Sequence, residues 1–306
     1  MIKKLLSITI VQLILLSSLT VLPVSSETPI QIFSGTAFYV GGTGPGNYTC
    51  IQDAIDNASD GDNVFVYNGT YYESILINKS INLTGENNED TVIKSGINNI
   101  TIDINYDNIV ISNFKILSEG TIGQSIRLFK SNNSIICNNQ IIGDWIGIYL
   151  HFSNNTKILK NNLHNCSISV HDSNKNIISQ NDIENNGLTL SDSSNNKISY
   201  NKIKSTDTGI LISGSCVNNT IKYNIIKDCD FGVNLGFSGS KNSISNNDFI
   251  SNKYLNAIIF TSKCIWYHNY WSRPKVLPKI IFGHSGTKIF IDFDWHPALI
   301  PNCIEE

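Results

Sequence analysis

The feature that most constrains this chain is a phrase, Ile-x-x-Asn-x-Ile, repeated through its second half. It closes on Ile158, Asn161 and Leu163, then on Ile178, Asn181 and Ile183, Ile198, Asn201 and Ile203, Ile221, Asn224 and Ile226, and Ile244, Asn247 and Phe249, so the asparagine returns every 20 to 23 residues. A fixed period of that size marks a solenoid, in which each copy is one coil that buries its apolar face only by stacking on its neighbours. Each copy opens on a short run with aliphatics in alternation, as in Ser125–Leu128, Gly147–Leu150, Ser167–Val170, Gly187–Leu190, Gly209–Ile212, Gly232–Leu235 and Asn256–Ile259. Period two places the aliphatic pair inside and the residue between them outside. Serines follow at Ser131, Ser153, Ser173, Ser193, Ser215, Ser238 and Ser262, where a small side chain suits a tight corner.

An asparagine flanked by aliphatics also marks leucine-rich repeats, whose pattern requires aliphatics five and eight positions earlier. Here the fifth position before holds Thr156, Asn176, Asn196, Asn219 and Asn242, and the eighth holds Ser153, Ser173 and Ser193, so the horseshoe is excluded. β-Branched residues in both halves of each coil point instead to short parallel strands throughout. The expected fold is all-β: a single-stranded right-handed parallel β-helix, closed by a short N-terminal capping helix and a C-terminal capping segment. The repeated asparagines Asn139, Asn161, Asn181, Asn201, Asn224 and Asn247, with Phe114 in the matching place of the first coil, are expected at a corner. There the αL conformation is tolerated by asparagine, and the amides stack as a structural ladder.

The ends differ from the body. Lys3 and Lys4 precede an apolar run from Leu5 to Leu22, then Pro23 and the small residues Val24-Ser25-Ser26, the three-part build of a secretory signal. The predicted division is a signal peptide over 1–26, an N-terminal cap with the first coils over 27–97, repeats over 98–271 and a C-terminal cap over 272–306. The chain is expected to be secreted or held at the cell surface, as a monomer, touching membrane only through that segment if it stays uncleaved. Thr49 and Gln52 have the spacing of a capping box ahead of Ile51, Ala54, Ile55 and Ala58 on one helical face, which Asp60-Gly61 ends. Seven cysteines show no metal-type spacing, and Cys264 with Cys303 is the expected disulfide, tying down the tail. With 22 Lys+Arg against 25 Asp+Glu the net charge is −3, which argues against nucleic acid as a partner. Gly41-Gly-Thr-Gly-Pro-Gly46 lacks the lysine of a phosphate-binding loop.

Tyr39-Val-Gly-Gly, Ile51-Gln-Asp-Ala-Ile55, Asp60-Gly-Asp62, Gly69-Thr-Tyr-Tyr-Glu73 and Lys79-Ser-Ile81, followed by the asparagine coils, resemble the NosD-type, pectin-lyase-like β-helix proteins of archaeal and bacterial surfaces. The block from Tyr270 to Gly283, with Phe293-Asp-Trp-His-Pro297, is similar to the end of such archaeal proteins. The resemblance implies this fold and these lids. It implies no single activity, since the family's members include carbohydrate-binding, polysaccharide-cleaving and copper-site maturation proteins.

Stacked coils make columns the unit of chemistry. One column carries Phe129, His151, His171, Ser191 and Ser213, and the next carries Lys130, Phe152, Asp172 and Asp192. His151, His171 and Asp172 form a candidate metal set, suited to Cu or Zn by their imidazoles. Asp172 and Asp192 are candidate acid and base for glycan hydrolysis, which needs two carboxylates about 5 to 10 Å apart. A lyase would use a base beside bound Ca, and Arg127 is the candidate, with no carboxylate column beside it in this alignment. Tyr149 on the outward column, and Trp266, Trp271 and Trp295 near the C-terminus, are candidate sugar contacts. The function expected is an exported binding or structural module, directed at polysaccharide or a cell-surface glycan. The alternatives are a polysaccharide lyase or hydrolase and a copper-handling protein.

Overall fold

A computed structural model describes residues 34–303, apart from 98, 121, 122, 144, 237, 238, 240, 261, 262 and 286 and the side chains of 284 and 285. The predicted signal peptide and its cleavage site lie outside the described residues. So do Ser238 and Ser262 of the corner set.

The chain forms a right-handed parallel β-solenoid of about 11 turns. Each coil lays down three strands, as in Ile146–His151, Lys157–Leu159 and Asn162–His164, and each strand pairs in parallel with its equivalent one coil on. Register turns the repeat into buried columns. Ile104, Leu128, Leu150, Val170, Leu190, Ile212, Leu235 and Ile259 stack on the first face. On the second, Ile111, Ile136, Ile158, Ile178, Ile198, Ile221 and Ile244 lead to Trp266. On the third, Ile116, Ile141, Leu163, Ile183, Ile203, Ile226 and Phe249 lead to Trp271. Nearly all of these side chains have no exposed surface. Gly147, second in its strand, leaves room that a Cβ would fill, 2.7 Å from Cys166 Sγ and 2.9 Å from Leu163 Cδ2.

The asparagines form the expected ladder, buried to within 1 % exposure from Asn139 to Asn269. Each side-chain oxygen accepts from the rung before it: Asn181 donates its amide N–H and its Nδ2 to Asn201 Oδ1 at 3.0 and 2.9 Å, and Asn201 donates to Asn224 Oδ1 in the same way. Nδ2 of Asn201 also donates to the carbonyls of Ile178 and Ser199. Phe114 takes the first place by donating its N–H to Asn139 Oδ1. The expectation that the asparagine itself turns the corner is corrected. The left-handed residue is the one before it, at Asn113, Asn138, Lys160, Gln180, Tyr200, Tyr223, Asn246 and His268. The turn is thus made by an outward residue and held by the inward amide that follows.

A second buried ladder runs through Asn176, Asn196, Asn219 and Asn242. Serines make a third: Ser131, Ser153 and Ser173 each donate their N–H to the hydroxyl one coil on. Cys216, rather than Ser215, is the next rung after Ser193, because Gly214 adds a residue to that coil.

At the N-terminus, helix α1 (Ile51–Asn57) buries Ile51, Ala54 and Ile55. Its expected capping box does not form. The N-cap is Cys50, without a side-chain bond, and the free amides of Ile51 and Gln52 donate to the two oxygens of Glu73 at 2.8 and 2.9 Å. Gln52 turns instead to the strand edge, where its amide exchanges both hydrogen bonds with the Leu76 backbone. Lys79 donates to the carbonyls of Asp56 and Ala58 at the other end. A carboxylate at the helix start and an ammonium at its finish both match the helix dipole.

The C-terminal lid is an antiparallel hairpin of Lys279–Ser285 and Lys288–Asp294. One strand extends the first face at Gly283 and the other extends the second face at Asp294. Cys264 and Cys303 are not joined: the tail is held by Asp248, whose oxygens accept from Asn302 N and Nδ2 and from Cys303 N at 2.8 to 3.1 Å. Burial, with the Asp248 charge beside it, pushes the Cys303 thiol up to about 12.

Replacing Asn201 by Ala strands the Asn181 N–H and takes a donor from the Ile178 carbonyl in the core, at about 1–3 kcal/mol for each unsatisfied group, whereas Asn181 Nδ2 keeps the Ile158 and Ser179 carbonyls and the Ser199 carbonyl keeps the Gln180 N–H. The expected total loss is about 3 kcal/mol or more, read from the guanidinium midpoint, whereas exposed Asn162→Ala loses less than about 0.5 kcal/mol.

Candidate functional site

The histidine cluster forms where the first face ends and the chain turns. Phe129, His151, His171, Ser191 and Ser213 are paired in register at the last positions of their strands. Neighbouring strand residues ordinarily point to opposite sides of a sheet. Here the corner intervenes: Phe152, Asp172 and Asp192 adopt φ of 52°, 46° and 48°, which swings their side chains back beside the histidines. The two columns proposed from sequence therefore meet.

The rings of His151 and His171 stack, with centroids 5.0 Å apart and planes 17° from parallel. Phe152 stacks on His151 at 4.2 Å, and Phe129 lies 5.6 Å from it on the preceding coil. Asp172 Oδ2 is 3.7 Å from His151 Nε2 and 3.4 Å from His171 Nε2. Burial and the His171 ring push His151 below the ordinary histidine value, with Asp172 pulling the other way. Tyr149, at 5.8 Å from His151, has its hydroxyl raised by burial and by Asp172, opposed by Arg127.

One ligand atom from each of His151, His171 and Asp172 lies within 4.8 Å of the others, and no second such group occurs among the described residues. Four ligands about 2.0–2.1 Å from a tetrahedral ion are separated by roughly 3.4 Å, so the carboxylate distances fit. The stacked imidazoles both set Nε2 beside Asp172 Oδ2. Closing both on one ion takes a rotation of at least one ring, which half-exposed side chains permit.

The other candidates fare differently. Asp192 is 3.9 Å from His171 Nε2, but its Oδ1 accepts from Ser215 N at 2.8 Å and so holds the turn through Gly214. Asp172 and Asp192 occupy one column on one edge of the solenoid and both aim at His171, rather than facing each other across a cleft. Arg127 does have a carboxylate neighbour. Its guanidinium binds Asp103 bidentately, with Nε to Oδ1 at 2.8 Å, because Asp103, Arg127 and Tyr149 share a column. The pairing escaped the sequence alignment, which began one coil later. A guanidinium locked in this way is no free base.

The tryptophans do not make a platform. Trp266 and Trp271 are 4 % and 2 % exposed and end the second- and third-face core columns, with their indole N–H groups on Asp292 and Asp294. Trp295 is exposed and stacks on Phe293. Sequence reasoning also passed over the shallow groove next to the cluster, lined by Asn132, Asn154, Asn155, Asn174, Lys175 and Asn195. Their signal was present in the Ser-Asn-Asn runs, which read as corner residues.

A parallel β-helix with three strands per coil and a polar cluster on one corner defines a class of repeat protein rather than a reaction. The family model described as NosD, periplasmic copper-binding protein, matches residues 55–285, and the chain belongs to that family. No curated protein matches it. Among solved structures it is similar to a family 28 exopolygalacturonase of Yersinia enterocolitica, with a TM-score of 0.53, 12 % identity, and coverage of 77 % of this chain and 65 % of that one. It is also similar to the A-module of a mannuronan C-5 epimerase from Azotobacter vinelandii, with a TM-score of 0.48, 16 % identity and 76 % of each chain covered. At these identities the likeness is one of fold.

The pKa of His151, followed by NMR through its ring nitrogens, should lie below the ordinary histidine value. It should rise in His171→Ala and fall further in Asp172→Asn. Because the depressed value disfavours the charged ring in the folded state, its stability contribution is present above the ordinary histidine pKa of about 6.5 and is lost as pH falls below it.

Proposed function

We propose that the protein is an exported β-helix module whose histidine corner binds a transition-metal ion, with copper as the favoured occupant. The observation that carries this reading is the convergence of His151, His171 and Asp172 within 4.8 Å on one corner. Two imidazoles and a carboxylate suit Cu(II), which such N/O sites hold more tightly than Zn(II). The family's description as periplasmic and copper-binding supports both the metal and the compartment, and the signal-like N-terminus supports the compartment. In this role the chain orients the donors: Phe152 holds the His151 ring by stacking, and Asp172 supplies the charge.

A carbohydrate-binding role is the second reading. It rests on the groove of outward amides with Lys175, a surface of hydrogen-bonding groups repeated at the coil spacing of about 4.8 Å. Glycan cleavage has less support, since Arg127 is bound to Asp103 and the carboxylates share one edge.

Calorimetric titration tests the first reading. Cu(II) should bind with a stoichiometry of one and more tightly than Zn(II), and weaken below about pH 6.5 as the histidines take up protons. The His151→Ala, His171→Ala double variant should lose binding, and unchanged affinity would remove the proposal. A polysaccharide binding and degradation panel on the same protein separates the readings, because glycan binding retained in the double variant assigns the groove its own role.

A further inference from the structure

The lid at the C-terminal end carries a surface that neither the fold nor the histidine corner uses. In the hairpin of Lys279–Ser285 and Lys288–Asp294, Ile281 and Gly283 face the solenoid, and the alternate positions point away. The outward cross-strand pairs are Ile280 with Phe293 and Phe282 with Ile291, with Ile289 continuing the row, and Ile280, Phe282, Ile289 and Ile291 are all exposed. The loop leading into the hairpin adds Val276 and Leu277, which are 89 % and 76 % exposed. Terminal caps of solenoids ordinarily turn a polar face to water, so an apolar one signals a partner.

Charge identifies the partner. The whole chain is at −3, yet between Ser272 and Asp292 the charged residues are Arg273, Lys275, Lys279 and Lys288, with no acid among them. Lys275 and Arg273 lie near Lys279 at the base of the hairpin, where burial first and then these two charges lower its pKa, and Lys288 stands at the tip. Cations thus bracket the apolar row at both ends. Aliphatics this exposed protrude at loop tips instead of lining a groove, which fits an extended fluid surface better than a peptide. A second copy of this lid would bring like charges together. We propose that the lid docks on an anionic lipid bilayer, with the aliphatics entering the headgroup region and the cations meeting lipid phosphates.

Full-length protein mixed with vesicles of phosphatidylcholine alone, or of phosphatidylcholine with phosphatidylglycerol, tests this. The local reporter is Trp295, exposed and stacked on Phe293, read as quenching by brominated lipid in wild type minus that in Trp295→Phe. This difference isolates the signal of the lid's own tryptophan, since the N-terminal apolar run carries none. Quenching is expected on the anionic vesicles, falling as salt is raised. Arg273→Gln with Lys288→Gln should weaken it about twenty-fivefold, from about fivefold per cation. Val276→Ser with Ile289→Ser should weaken it about tenfold or more, from the lost apolar area. Equal quenching on both compositions, no quenching on either, or a concentration-dependent dimer abolished by Ile289→Ser in sedimentation would each overturn the proposal.

Discussion

The structure depends on a buried column of amides that has to be finished at both ends. Along the column each asparagine supplies what the next requires, so the interior satisfies itself at any length. The last rung is different. Asn269 still offers a backbone N–H and an Nδ2 with no further asparagine to receive them, and both donate to Asp294 Oδ2 at 3.0 Å. The same carboxylate accepts from Trp271 Nε1 and from the His268 amide, and it has no exposed surface. A carboxylate suits this place because it only accepts, whereas an amide would add two donors to a site already full of them. The aspartate of the Phe293-Asp-Trp-His-Pro297 motif is thus explained by hydrogen-bond accounting.

The opposite end follows the same logic with different parts. Helix α1 brings four free amides and four free carbonyls to a sheet edge that is itself unpaired. Glu73 takes two of the amides, Lys79 two of the carbonyls, and Gln52 pairs with the edge at Leu76. The short motifs at Gly69–Glu73 and Lys79–Ile81 are therefore clamps on the helix. Local sequence suggested a capping box at Thr49 and Gln52 because that pattern is read over three residues. The actual cap lies more than twenty residues on, brought near by coiling, and no local rule reaches it.

What was legible follows the same division between near and far. Period, strand alternation and the ladder positions are translations of one pattern, so a single register carries all the aliphatic columns and aligns His151 with His171. The second ladder was also written in the chain, at Asn176, Asn196, Asn219 and Asn242, but these residues served only to reject leucine-rich repeats. Conformation was not legible. Nothing in the order His-Asp at 171 and 172 says that Asp172 is left-handed, and without that turn the carboxylate would lie on the other side of the sheet. The fate of the tryptophans was hidden too, since large aromatics serve equally as lids and as platforms. Only the columns ending at Trp266 and Trp271 decide it.

Those left-handed positions separate framework from function. A regular coil spends one outward residue at each turn, as at Phe152, Asn155, Lys160 and Asn165, then Asp172, Lys175, Gln180 and Asn185, then Asp192, Asn195, Tyr200 and Ser205. The residue after most of them is a buried serine, threonine or asparagine committed to a ladder. The inward residue is not free to vary, while the outward one is limited only by the modest cost of φ above zero. That cost is lowest for Asn and Asp and highest for bulky side chains. Phe152, Tyr200 and Tyr223 go against that preference. Phe152 recovers contact energy by stacking on His151, and the two tyrosines by stacking on each other with planes 10° apart. Chemistry in this fold is therefore set on its corners, at the spacing of the strands. The histidine corner is the place where two such columns carry ligands of opposite charge preference side by side.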